Sequence, residues 1–275
     1  MNLPDEFQFS ASCLQDYVDC PRRFALRHVL GLAWPALVSE PAERAEQFSR
    51  QGSAFHRLVQ QHLNGIPAER LEAFAGGIDL SRWWQNYQQA DPAAGYHGRR
   101  MVEFPLSAPF CGRRLVAKYD LLIAGQDGQL TIVDWKTSLK RPSRENLLVR
   151  VQTRVYRYLL TLAGGGLIGR EAVSPEAVRM VYWFAEVPEN PEIFPYTAAE
   201  RDQDRDILER LAGEIQCLHS LEDALPANRE GFCRSCTYSS YCERGGAPVP
   251  WEETAAEDTQ AGAELDFASI EEVAY

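Results

Sequence analysis

The sequence predicts an α/β domain in which helices lead into three consecutive strands, followed by a helix, a further strand and a last helix, with α+β as the alternative from element order alone. Three observations carry this. Residues 99–110 and 113–124 are alternating or continuously apolar, and the two-residue break Cys111–Gly112 between them is short enough for a hairpin. Residues 130–137, LTIVDWKT, form an apolar run between the turn GQDGQ and the polar SLKRPS, the pattern of a buried strand. Residues 10–91 and 143–163 carry their apolar side chains at helical spacing.

Residues 10–33 open with Ser10 or Ser12 as a helix cap, and Leu14, Tyr17, Val18, Phe24, Ala25 and Val29 recur at roughly helical intervals. Pro21 must start a new helix or kink the first. Residues 40–64 read as a second helix with Phe48, Phe55, Leu58, Val59 and Leu63 on one face. Residues 67–91 read as further helix, with Leu71, Phe74, Trp83, Trp84 and Tyr87 supplying a core. The strands at 99–110, 113–124 and 130–137 make an antiparallel meander. Ser143 then caps a helix over 143–163 whose apolar face is Leu147, Val151, Val155, Tyr158 and Leu162. Arg150, Arg154 and Arg157 form a stripe on the other side, expected to be solvated. A strand over 177–187 and a charged helix over 198–221 complete the order.

The net charge of −11 argues against a nucleic-acid protein until its distribution is considered. Residues 251–275 hold eight of the 39 acidic side chains and none of the 28 basic ones, so residues 1–250 carry 31 acids against 28 bases, a net −3. Local patches matter more than net charge for binding a phosphate backbone. The organisation expected is one domain over 1–250, comprising a helical part at 10–91, a core at 99–221 and a cysteine cluster at 231–246, followed by a flexible acidic tail at 251–275. The chain has no apolar run long enough to span a bilayer and no signal-peptide pattern at its start, which implies a cytoplasmic protein with no membrane partner. It has no phosphate-binding loop of the G-x-x-x-x-G-K-[ST] type, so no ATP is expected.

Within the third strand, Asp134 and Lys136 lie on one face and Trp135 on the other, because strand side chains alternate. A carboxylate and an ammonium on one face are either a salt bridge at a strand exit or a metal-dependent phosphodiesterase site. In the second case Asp134 binds a divalent cation and Lys136 orients the attacking water. Asp120 interrupts the apolar run of the second strand, and His56 lies on the 40–64 helix. Gln152 and Tyr156, four apart, share the flank of the 143–163 helix. Lys140 and Arg141 just past the strand are either phosphate contacts or a solvated loop.

Cys233, Cys236 and Cys242 have the spacing C-x2-C-x5-C, a strong metal signal in a reducing compartment. No Cys or His follows Cys242, so a fourth ligand must come from elsewhere, and Cys20 is the leading candidate. Four thiolates suit zinc and equally a [4Fe–4S] cluster, and spacing does not choose between them. Cys13, Cys111 and Cys217 are expected to be ordinary buried cysteines.

In order, these elements resemble the RecB-like branch of the PD-(D/E)xK nucleases, specifically its iron–sulfur group, which includes AddB-type nuclease domains and CRISPR-associated exonucleases. The residues that carry the resemblance are Tyr17, Cys20, Pro21 and Phe24; Gly52 and His56; Asp120; Asp134 and Lys136; Gln152 and Tyr156; and Cys233, Cys236 and Cys242. One departure is Ala117 where the family usually has Gly, with Lys118 and Tyr119 also differing.

The resemblance implies a restriction-endonuclease-like core, a central mixed sheet flanked by helices, and hydrolysis of DNA phosphodiester bonds, most simply by an exonuclease acting on single strands or ends. It implies Mg²⁺ or Mn²⁺ held by His56, Asp120, Asp134 and the backbone carbonyl of Trp135. Lys136 would be the electrostatic catalyst, with Gln152 and Tyr156 steadying the site. It favours a [4Fe–4S] cluster over zinc on Cys20, Cys233, Cys236 and Cys242. DNA is the partner expected, with a helicase or another repair or defence protein as a further one. The alternative function is a catalytically silent nuclease fold used for DNA binding or partner docking.

Overall fold

The computed structural model describes residues 3–32, 40–226, 233 and 236–242, and the acidic tail lies outside them. Strand β1 (Phe9–Ser10) leads directly into helix α1 (Ala11–Asp19). Ser10 caps α1: its hydroxyl accepts from the Cys13 backbone N–H while the Cys13 thiol accepts from the Ser10 N–H. Pro21 occupies the first turn of α2 (Pro21–Phe24), where its missing N–H costs nothing, and the chain continues into a π-helical turn over Ala25–Val29.

Helix α3 (Glu40–Leu63) is followed by α4 (Ala68–Glu72) and α5 (Ile78–Ala90). Helix over 67–91 is thus two pieces, parted at Gly76–Gly77, where Gly77 has φ +88°. One consequence is that Phe74, expected in the core, is 73% exposed.

Next come β2 (Arg99–Phe110), β3 (Arg113–Ala124) and β4 (Leu130–Lys136), then α6 (Arg144–Val149), α7 (Val151–Ala163), β5 (Val178–Phe184), β6 (Glu192–Pro195) and α8 (Ala198–Gln216). β1 and β6 were not foreseen: two and four residues are too few to show a period. The helix expected over 143–163 breaks at Arg150, which is extended (φ −59°, ψ 140°). Tertiary partners capture the break: Gln15 of α1 accepts the Val151 N–H at 3.3 Å, and the Thr153 hydroxyl donates to the Leu147 carbonyl at 2.6 Å.

The sheet is mixed. β3 pairs antiparallel with β2 on one side and with β4 on the other, and its first residues pair parallel with β1. β4 runs parallel to β5, which pairs antiparallel with β6. One face is covered by α1, α2, α7 and α8 through Leu14, Phe24, Val155, Leu159 and Leu208. The other is covered by α3, α4 and α5 through Phe55, Leu71, Trp83, Trp84 and Tyr87, packed on Val133, Trp135 and Trp183. Among the described residues no helix is long and apolar enough to cross a membrane.

Three side chains depart from the helical-wheel reading. Leu162 is 43% exposed. Arg154 and Arg157 are not solvated: Arg157 is 1% exposed, reaches the Pro195 carbonyl at 3.1 Å and stacks over Tyr196, and both arginines pair with Asp204 of α8. These two arginines face α8, a helix the sequence predicts but whose packing against α7 it does not announce. Cys217, at the end of α8, is exposed rather than buried.

Candidate active site

The site is built where two strands part. The β3–β4 ladder ends at Leu121↔Val133, so Asp120 and Asp134, next in register, stand opposite one another at the mouth of a fork. Asp120 bridges it: its Oδ2 accepts the Trp135 N–H at 3.0 Å.

The alternation of β2 and β3 reverses at this rung. Leu115, Ala117 and Tyr119 face the α1/α7/α8 layer, whereas Leu121 and Ile123 face the α3/α5 layer. On β2 the change falls between Val102 and Phe104. Between them Glu103 takes φ +52°, a region unfavourable for a non-glycine residue. Such strain concentrates at functional sites. Its effect here is to set Glu103 opposite Asp120, between two cores, within reach of a helix from either layer.

From the α3 side comes His56, whose Nδ1 lies 3.4 Å from Asp120 Oδ1. Gly52, one turn earlier, allows α3 this close: a Cβ there would come within 2.9 Å of Thr137 Oγ1. His56, Glu103 and Asp120 each offer a ligand atom, all within 4.8 Å of one another. One imidazole and two carboxylates suit Mg²⁺ or Mn²⁺, the imidazole favouring Mn²⁺. The donor set therefore fits a divalent cation. Glu103 is the residue that sequence reading missed. A lone Glu in VEF has no motif, and only its register opposite Asp120 would reveal it.

From the α7 side come Gln152 and Tyr156. The Lys136 ammonium lies 2.9 Å from Asp134 Oδ2 and donates to Gln152 Oε1 at 2.9 Å, while Gln152 Nε2 donates to Asp134 Oδ1 at 2.8 Å. Asp134 and Lys136 are 1% and 2% exposed at the side chain. This closed ring of three holds the ammonium beside the carboxylate in one orientation. Tyr156 plays a different part: its hydroxyl donates to the Lys118 carbonyl at 2.9 Å and its own carbonyl accepts from Tyr119 at 3.0 Å. It fastens α7 to β3 from inside the protein. Burial, then the charges of Asp134 and Asp120, push its phenol far above the ordinary range, so it stays neutral.

The charges explain each other. Burial disfavours the His56 imidazolium, but Asp120 and then Asp134 outweigh it and raise the pKa. Burial also disfavours charge on Asp120, yet His56, the Trp135 N–H and Lys136 hold it below the ordinary range. Glu103 is raised by burial and by Asp120, against the pull of its ion-pair partner Lys118.

Lys140 is exposed and lies beyond the fork, whereas Arg141 is engaged by Glu192 and stacks over Phe184. Away from the fork, Cys20 is buried at the α1–α2 junction. Burial raises the Cys236 thiol, the Tyr238 backbone N–H and then Arg23 lower it, and Cys20 and Cys242 raise it further. Cys236 N–H donates to the Cys233 carbonyl at 3.3 Å, and Tyr238 donates to the Leu32 carbonyl at 2.9 Å, docking the segment on the N-terminal helices.

No curated protein matches the chain. Among solved structures, one from Eubacterium rectale described as a "Putative exonuclease" is 11% identical over 92% of this chain and 94% of that one, with a TM-score of 0.53, a likeness of fold. Another, the structure of SSO0001, is 14% identical over 88% of each chain with a TM-score of 0.41. The family pattern described as the PD-(D/E)XK nuclease superfamily matches residues 8–243, from β1 past the last clustered cysteine. The chain belongs to the PD-(D/E)XK nuclease superfamily.

Proposed function

We propose that this protein is a metal-dependent deoxyribonuclease, an exonuclease acting on single strands or DNA ends, whose reaction centre is the β3–β4 fork. The observation that carries this reading is the closed ring of Asp134, Lys136 and Gln152 directly opposite Asp120. A salt bridge serving only stability would be better placed at the surface, since two charges at 1% and 2% exposure cost more to bury than their attraction returns.

His56, Glu103 and Asp120 would hold Mg²⁺ or Mn²⁺, with Asp134 and the Trp135 carbonyl across the fork as further donors. Such an ion supplies Lewis-acid polarisation of a phosphoryl oxygen and an acidified water. Lys136 is positioned by Gln152 to hold the attacking water and to stabilise the extra negative charge that develops on the phosphate. Tyr156 keeps α7, and with it Gln152, in register with β3. Lys140 offers a solvent-side cation for the strand leaving the fork.

Cys20, Cys233, Cys236 and Cys242 would hold a [4Fe–4S] cluster that staples the segment after α8 to the α1–α2 junction, a structural use of the cofactor. Iron and sulfide analysis of protein purified without oxygen tests this, and zinc in their place would replace the cluster assignment.

Degradation of end-labelled DNA with Mn²⁺ or Mg²⁺ tests the activity. Lys136→Ala should lower the rate by roughly 10²–10³, the usual loss for one preorganised electrostatic group. Equal rates for wild type and variant would discard the assignment of Lys136. A cluster-loaded wild type that binds DNA without cleaving it would favour the silent binding module instead.

A further inference from the structure

We propose that a cleft between α3 and α4 is a subsite for one nucleotide of a single strand, with its phosphate between Arg57 and Arg70 and its base against Phe74. The proposal rests on the nuclease reading and adds the path of the substrate. The cleft measures about 480 Å³, and its walls include Arg57, Gln61, Ile66, Arg70, Leu71 and Phe74. That volume lies within the roughly 300–1,000 Å³ of small-ligand clefts.

Three features point to this occupant. First, Phe74 is 73% exposed and Ile78 just beyond it is 84% exposed, on a layer whose other aromatics, Trp83, Trp84 and Tyr87, are buried. A solvent-facing ring is a stacking platform for any base. Second, Arg57 and Arg70 are exposed and have no ion-pair partner among the described residues. Many of the other arginines are already neutralised: Arg82 pairs with Asp79 and Glu186, Arg141 and Arg144 with Glu192, Arg154 and Arg157 with Asp204. In a chain of net charge −11, two unpaired guanidinium groups converging on one cleft offer the charge that a phosphate requires. Glu69 and Glu72 neighbour Arg70 in sequence but do not line the cleft. Third, Arg57 directly follows His56 on α3, and Gln61 lies about one turn further. A strand resting here runs along the helix that supplies a donor to the fork. The Gln61 amide has both a donor and an acceptor for a base edge. A duplex, whose bases are already stacked on one another, has no free face to offer Phe74.

The test is fluorescence anisotropy of a labelled oligothymidylate and of a labelled duplex, in EDTA so that binding is read without cleavage. Phe74→Ala should weaken single-strand binding about tenfold, Phe74→Trp should restore it, and duplex affinity should hardly move. Arg57→Ala and Arg70→Ala should each weaken binding and flatten its dependence on log salt concentration by roughly 0.7. All four changes are at exposed positions, and circular dichroism checks that each variant is folded. A wild type that cleaves DNA while Phe74→Ala and Arg70→Ala bind as tightly as it does would overturn the cleft and leave the nuclease standing. Equal losses on single strand and duplex would also overturn it. A wild type that neither binds nor cleaves DNA would remove the nuclease reading and this one together.

Discussion

Glu103 shows how a single residue is brought into the candidate site by its surroundings. Its φ of +52° is tolerated because the rungs on either side, Val102↔Leu121 and Phe104↔Tyr119, hold the strand in register across it. Burial and the neighbouring Asp120 raise its pKa, so in the absence of a cation it leans on Lys118. A divalent cation among His56, Glu103 and Asp120 would remove that conflict, since the two carboxylates that now repel one another would share its double positive charge. Glu103→Gln keeps the shape and deletes the charge. It should weaken Mn²⁺ binding by roughly 10- to 100-fold, comparable to losses of supporting groups at other metal sites. Isothermal titration checks this, and unchanged affinity would take Glu103 out of the donor set.

At the level of elements, two contacts set how the helices pack, one between helices and one against the sheet. Asp16 of α1 gathers Arg23 at 2.8 Å, Arg27 at 3.3 Å and His28 at 2.8 Å, binding α1 to α2 and the π-helical turn. Burial alone would raise its pKa, but the His28 hydrogen bond and the charges of Arg23, His28 and Arg27 outweigh burial and depress it. The folded state therefore takes up this proton less readily than the unfolded chain. Its stabilisation is complete above the unfolded carboxyl pKa of about 4 and drains away as pH falls through the depressed folded value. Asp16→Asn removes the carboxylate that Arg27 and Arg23 share, Arg23 keeping Asp19 at 2.7 Å, and should cost about 3 kcal/mol at neutral pH. Urea unfolding should find that cost shrinking below about pH 4; a cost independent of pH would mean that the charge is not the cause.

The second contact is Gly52 against Thr137. Alanine within a helix gains about 0.5–1 kcal/mol over glycine, but here its Cβ would meet Thr137 Oγ1 at 2.9 Å, and overpacking costs about 1–3 kcal/mol. Gly52→Ala should therefore destabilise the wild type and stabilise the Thr137→Ala background. Thermal unfolding of the four proteins reads the change of sign, and the same sign in both backgrounds would show that another contact sets the α3–β4 distance.

For the molecule as a whole, the sheet separates two cores, and the fork is the place where both are in reach. His56 arrives from one layer and Gln152 from the other, so neither layer alone makes the site. The cysteine segment closes the chain back on its N-terminal helices through Tyr238 and Leu32. If Cys20 is a cluster ligand as proposed, Cys20→Ala should abolish the cluster's visible absorption and lower the melting temperature. Cluster absorption that survives the substitution would assign the fourth ligand elsewhere.

The fold class was legible because its signals are local. Period-two and period-3.6 patterns over 99–136 and 143–163 are imposed by covalent geometry within a few residues, and the Cys111–Gly112 turn marks the hairpin directly. The common face of Asp134 and Lys136 follows from the same geometry, as does that of Gln152 and Tyr156. What could not be read locally was set by elements far away in sequence. The break at Arg150 depends on Gln15, and the burial of Arg154 and Arg157 depends on Asp204. Tyr156 turns inward because the Lys118 carbonyl is there to accept its hydrogen bond, and Glu103 joins the candidate site because β2 sets it opposite Asp120. Periodicity tells which side chains share a face; only the packing of the two layers on the sheet decides what that face meets.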